Sequence, residues 1–271
     1  MPGRLRVSEW IALAYFLYLI ALAAVARVSL ARRQRVLATA PVTCAAIATI
    51  GLQAGTAAAL ARDWLPLLYL VMAYWLPAQL VETPRSRVEA RLLRFDHKLF
   101  RSHRSAAAAA RAPRLLVEYL ELAYLLCYPV VPAGFACLVL CGFRAEADQY
   151  WTAVLLAALP CYGLLPWLPT RPPRAIEMPE TAARSAIRAL NVKILDRASV
   201  QLNTFPSGHA AASIAIALAV GSHVPLAGAV LGIVAVSIAA ASVIGRYHYA
   251  ADPIAGAGLA IAAFAASRLI G

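Results

Sequence analysis

The chain has 271 residues, 62% of them hydrophobic and 14% charged, with a mean hydropathy of +0.70. A soluble domain carries roughly 45–50% apolar and about 25% charged residues, so this composition excludes an ordinary water-soluble domain and makes lipid the solvent. The net charge of +12 comes from 25 Lys+Arg against 13 Asp+Glu; the basic residues fall between apolar runs, which reads as membrane topology and anionic headgroups or phosphates and excludes nucleic acid as the partner.

Apolar runs near the length of about 20 residues that crosses a bilayer occupy roughly 8–30, 36–60, 64–81, 115–141, 150–168, 207–222, 225–247 and 253–270. They predict an all-α fold, a polytopic integral membrane bundle of about eight transmembrane helices (six to eight). The run 8–30 has basic flanks like a signal peptide, but it is too long for an h-region and lacks a clear cleavage site, so it reads as a retained span. The pair 36–60 and 64–81 is parted only by a short gap at Arg62-Asp63. Residues 82–114 then carry Arg85, Arg87, Arg91, Arg94, Lys98, Arg101, Arg104, Arg111 and Arg114, interleaved with Leu92, Leu93, Phe95, Leu99 and Phe100. That pattern suits an amphipathic helix on an anionic membrane face, and equally a solvated cytoplasmic loop. His97 and His103 read as solvated, and the alanine run 105–111 as an extension of the helix. Pro129, Pro132 and Pro160 are tolerable within spans if neighbouring helices cover the freed backbone groups. Cys44, Cys127, Cys137, Cys141 and Cys161 lie in or beside apolar runs without CxxC or zinc spacing, which reads as packing. The small residues of 207–271 suit close helix contacts in lipid.

Counting eight spans puts loops 31–35, 82–114, 169–206 and 248–252 on one side. The first two hold most of the arginines other than the candidate site's Arg171, Arg174 and Arg246, so the positive-inside rule assigns that side to the cytoplasm. The abundance of Ala and Arg points to a bacterial inner membrane.

Three stretches share that side. In "NTFPSGHAAAS", 203–213, Ser207 is placed to cap a helix whose first amides, from Gly208 and His209, are unpaired donors. A helix N-terminus with a small glycine is a ready anion site, with His209 in its first turn; the rival reading is a capped helix with an interfacial histidine. In "GRYHYAADPIAG", 245–256, Asp252-Pro253 reads as N-cap and N1 of the last span, with His248 four residues earlier. A carboxylate in reach of an imidazole fixes its tautomer; the rival is an aromatic belt of Tyr247 and Tyr249, which leaves Arg246, His248 and Asp252 unexplained. In "PTRPPRAIE", 169–177, Arg171 and Arg174 stand among prolines, as paired guanidiniums that grip a phosphate do, or as ordinary anchors flanking a span.

The FPSGH of 205–209 followed by HYxxD at 248–252 resembles the type-2 phosphatidic acid phosphatase superfamily, which includes lipid phosphatases, glucose-6-phosphatase and vanadium-dependent haloperoxidases. The resemblance covers about 160–260. The family's second motif matches in full, the third at His248 and Asp252, and the first only at Arg171-Pro172. The family lysine of the first motif falls at Leu164, and the arginine of the third at Ser242, one helical turn before Arg246. On a helix continuing through 246 these two positions share a face. These departures, with the Arg-Pro-Pro-Arg loop, are similar to the branch of inositol phosphorylceramide synthases and their bacterial relatives, which transfer a phosphoryl headgroup to a lipid alcohol.

The resemblance implies two parts: N-terminal transmembrane helices with a basic amphipathic cytoplasmic segment over 1–114, and a catalytic helical core over 115–271. It implies that His248 attacks phosphorus with Asp252 behind it. Arg171, Arg174 and Arg246, the Ser207 hydroxyl and the Gly208 amide hold the nonbridging oxygens, and His209 serves as acid and then base. It implies no cofactor and no metal, with a lipid phosphate as substrate and the bilayer as setting. Hydrolysis is the expected outcome, transfer to an acceptor alcohol the alternative, and a non-catalytic phospholipid-binding or transport protein the weaker one.

Overall fold

The computed structural model describes residues 4–100, 113–177 and 186–270. Among the described residues it is all-helical: α1 (Val7–Val25), α2 (Leu30–Leu52), α3 (Thr56–Trp75), α4 (Ser86–Phe100), α5 (Arg114–Leu125), α6 (Val130–Leu140), α7 (Ala147–Gly163), α8 (Ala186–Ala198), α9 (Gly208–Gly221), α10 (Pro225–Ile244) and α11 (Ala251–Ile270). The expected extension through 105–111, with His103, Arg101, Arg104 and Arg111, lies outside the described residues.

Each predicted apolar run is helical, but they are not eight equal spans. Five helices are long and apolar enough to cross a membrane: α1, α2, α3 with its continuation to Leu80, α10 and α11. The run 115–141 is no single rod. It breaks between α5 and α6 with a bend of 70°, where Pro129 and Pro132 withhold amide protons from the helical ladder. The helix α7 has 17 residues and α9 has 14. For α7 the reason is its place at the centre. It packs against α1, α3, α9 and α11, and Tyr150, Trp151, Val154, Leu155 and Ala158 are fully buried. A helix sheathed by other helices need not present a full apolar cylinder to lipid. By contrast α10 turns Leu226, Ile233 and Val236 outward, as a lipid-facing helix does.

The first helices also divide differently from the expectation. The turn between α2 and α3 falls at 53–55, where Gly55 takes φ 108°, a conformation only glycine adopts freely. Arg62 and Asp63, read as a gap, lie within α3. Their charges are satisfied at the end of the bundle away from His209 and His248: Arg62 pairs with Glu9 at 2.7 Å, and Asp63 with Arg6 at 2.8 Å and Arg144 at 2.7 Å. Asp148, at the start of α7, accepts the Val7 and Ser8 amides at the start of α1, a carboxylate on a helix N-terminus.

Candidate active site

Helix α9 begins as its sequence dictates. Ser207 is the N-cap, and its Oγ accepts the Ala210 N–H at 3.3 Å. The Ser207 N–H donates to the Asp252 carbonyl at 3.0 Å, which ties the start of α9 to the start of α11. Two glycines allow this approach. A Cβ on Gly208 would lie 2.4 Å from the Tyr162 ring, and one on Gly256 would lie 2.6 Å from the Ser207 carbonyl oxygen. The Gly208 and His209 amides belong to the first helical turn, whose donors have no intrahelical acceptor.

Helix α10 ends at Ile244, so it does not continue through Arg246. The chain closes the helix with a Schellman turn: the Tyr247 N–H donates to Ser242 O and the Arg246 N–H to Val243 O. Arg246 occupies the left-handed position with φ 61°, and the expected shared face of Ser242 and Arg246 is lost. The turn instead carries His248 inward, with its own N–H also on Ser242 O at 2.9 Å. Helix α11 starts at Ala251, so Asp252 sits in the first turn and is not the N-cap. Its Oδ2 reaches back to accept the Tyr249 N–H at 2.9 Å.

His248 is 5% exposed. Its Nδ1 lies 2.9 Å from the Thr204 carbonyl oxygen and 3.2 Å from Asp252 Oδ2. A carbonyl oxygen only accepts, so Nδ1 carries the proton and Nε2 keeps its lone pair. The His209 ring centroid is 6.1 Å away and nearly perpendicular, at 88°. Two acceptors therefore hold one tautomer. Asp252→Asn keeps the Thr204 acceptor and loses only the negative charge behind the ring. Its expected cost is about 10²-fold in kcat, well short of the ~10⁴ seen where the carboxylate alone sets the tautomer. A steady-state assay of that variant checks it; a loss as deep as that of removing the ring would discard the part given to Thr204.

Both rings face a cleft of about 420 Å³ of empty space, partly open to solvent. Tyr74, Tyr124, Tyr162 and Tyr247 line it, and Arg174, Gln201 and Asn203 supply polar groups. The Asn203 Oδ1 is buried there without a hydrogen-bond partner. Among the described residues, no group of three or more His, Cys, Asp or Glu is placed to hold a metal.

The expected cations divide. Arg174 lines the cleft, with its guanidinium 5.0 Å over the Tyr247 ring and 3.2 Å from Gln201 Oε1. Arg171 turns the other way. Glu89 of α4 takes its backbone N–H at 2.8 Å and its guanidinium at 3.1 and 2.9 Å. Burial raises the Glu89 carboxyl, but these bonds outweigh it and hold the group below its ordinary range. Arg246 pairs with Glu177 at 3.0 Å, and His97, exposed as expected, lies 3.4 Å from the same carboxylate. The Ser207 hydroxyl serves its helix cap. The structure thus brings His209, His248, Asp252, Gly208 and Arg174 together, and leaves the guanidiniums of Arg171 and Arg246 on carboxylates.

Sequence reasoning missed a second hub. Glu121 of α5 is buried and accepts from Tyr247 Oη at 2.6 Å, Arg188 at 2.9 Å and Asn191 at 2.7 Å. Tyr247 stacks on Tyr124, centroids 4.2 Å apart, and the Arg188 guanidinium stands 6.0 Å over the Tyr247 ring. A carboxylate in an apolar run, one of two there with Glu118, was the available signal. The 70° bend after α5 gives Glu121 and Tyr124 this position.

A family model described as PAP2 superfamily matches residues 90–266, more than half of the chain and every site residue expected from the sequence. Comparison with curated proteins and with solved structures yields no match.

Proposed function

The chain belongs to the PAP2 superfamily, and on that premise we propose that it is a membrane-embedded phosphatase acting on a lipid phosphate monoester or diphosphate through a phosphohistidine. The observation that carries this reading is the pair of perpendicular imidazoles 6.1 Å apart at one cleft, one with its Nδ1 committed to Thr204 and Asp252. On this reading a phosphoryl group enters between them, with its phosphorus about 3–3.5 Å from Nε2 in the attacking arrangement.

In the first step His248 Nε2 forms a bond to phosphorus, the bond to the ester oxygen breaks, and His209 gives that oxygen a proton. In the second, a water loses a proton to His209, its oxygen bonds phosphorus, and the N–P bond breaks to release phosphate and neutral His248. Asp252 offsets the charge the ring carries in between. Arg174 and the Gly208 amide meet the nonbridging oxygens as charge shifts onto them. Arg171 and Arg246 reach those oxygens only by giving up Glu89 and Glu177. The lipid tail stays in the bilayer, and the basic loops beside the site favour the cytoplasmic face of a bacterial inner membrane.

A second reading, transfer of a phosphoryl headgroup to another lipid, draws on Leu164 and Ser242 standing where the family has cations. It also draws on the buried acceptor Asn203 Oδ1, which suits an incoming hydroxyl. Purified protein given phosphatidic acid, a prenyl diphosphate or a phosphoinositide-type lipid separates the two. Inorganic phosphate release is the expected result, insensitive to EDTA and blocked by orthovanadate, whose five-coordinate form fits a site built for attack on phosphorus. Turnover that needs a second lipid and frees no phosphate supports transfer, and a strict Mg²⁺ requirement contradicts the scheme.

A further inference from the structure

Helix α4 stands outside the reaction just described, yet it is tied to two loops of the site. The Arg85 N–H, just before it, donates to Pro169 O at 2.7 Å. Glu89 holds Arg171 by three bonds, and Asp96 Oδ1 accepts the Ala250 N–H at 2.8 Å, two residues from His248. Glu89 and Asp96 are seven residues apart, on one stripe of a 3.6-residue helix. Both are buried, at 3% and 2% exposure.

The rest of the helix divides into two further sectors. At about 100° per residue, Arg87, Arg91, Arg94 and Lys98 fall within an arc of about 60°, opposite the two carboxylates. All four are exposed. Between that arc and the buried stripe lie Val88, Phe95 and Leu99, with Phe95 43% and Leu99 53% exposed. A helix with adjoining basic and apolar sectors, joined to a membrane bundle, suits the headgroup layer: the apolar side chains enter the acyl boundary and the cations meet anionic phosphates. A water-facing loop needs no aromatic sector. The carboxylates are withheld from that surface, so they do not repel it.

We infer that α4 is a binding site for the anionic headgroups of the surrounding bilayer, and that occupancy of its basic arc orders the 169–177 and 245–252 loops through Glu89 and Asp96. The inference does not depend on the reaction proposed above, since its readout is structural. Full-length protein is placed in nanodiscs of phosphatidylcholine alone or mixed with phosphatidylglycerol, and amide hydrogen exchange is followed. Exchange at 86–100 and in both loops is expected to slow in the anionic discs, by about fivefold for each cation engaged, and to recover in high salt. The quadruple variant Arg87→Gln/Arg91→Gln/Arg94→Gln/Lys98→Gln, all surface positions, is expected to erase the difference. Equal exchange in the two discs overturns the inference and would mean that the apolar sector alone seats the helix; a response that survives in the quadruple variant overturns it too, because the anionic lipid then acts elsewhere. Glu89→Gln is expected to leave the response of α4 and weaken that of 169–177. An undiminished loop response in that variant would overturn the coupling.

Discussion

Replacing His248 with alanine is expected to lower kcat for phosphate release by about 10⁴-fold or more, the scale on which an enzyme loses its nucleophile. The argument rests on what surrounds the ring. Thr204 O and Asp252 Oδ2 both stand at Nδ1, so the free lone pair is on Nε2, toward the cleft. No second imidazole can take over, because His209 approaches His248 edge to face from the first turn of α9 and, among the described residues, has no carboxylate bonded behind it. The change removes a mostly buried ring without touching the Schellman turn, whose bonds are all backbone. The variant is therefore expected to keep its fold and its KM. Phosphate release measured against phosphatidic acid, with circular dichroism on the same sample, checks both. A variant that turns over within tenfold of the parent would end the phosphohistidine scheme.

The all-helical class was legible in the apolar runs, and so were the local pieces of the candidate site, but not the helix limits around it. FPSGH and HYxxD are local arrangements, and their caps and turns depend on neighbours within a few residues, so the Ser207 cap and the closeness of His248 to Asp252 were legible, while the place of Asp252 inside the first turn of α11 was not. The limits of α10 were not legible. A helix end at Ile244 depends on Arg246 accepting a left-handed conformation, which nothing in the apolar pattern announces. The fate of the arginines was also hidden. Whether a guanidinium faces a phosphate or a carboxylate depends on tertiary pairing, and Glu89 lies 82 residues from Arg171. The Thr204 carbonyl was hidden for the same reason, since any residue type supplies a carbonyl. Apolar periodicity could not show that α7 is the sheathed central helix, because a buried and a lipid-facing helix are alike in composition.

Alanine at 209 is expected to separate the two halves of the reaction, and its effect should depend on the leaving group. With a lipid phosphate ester the departing alkoxide needs a proton, so losing the acid should slow phosphoenzyme formation by about 10³-fold, within the usual range for acid–base catalysis. With an aryl phosphate the departing phenolate is stable at neutral pH and needs none. Formation should then run near the parent rate, while attack of water, deprived of its base, lags by a similar factor. The variant should give one turnover of phenolate as a burst and then stall with phosphate on His248. The position of His209 supports this division of labour. Its ring sits in the first turn of α9, wedged edge-on against Tyr124 and Tyr128 at 6.0 and 5.9 Å. It lies across the cleft from His248, which Thr204 and Asp252 already hold in place. Removing it leaves Thr204, Asp252 and Arg174 where they are. Rapid quench with radiolabelled aryl phosphate reads the outcome as an acid-labile, alkali-stable label on the protein. Equal slowing of phosphoenzyme formation for both substrates, with no label retained, would show that His209 supports the architecture and moves no proton.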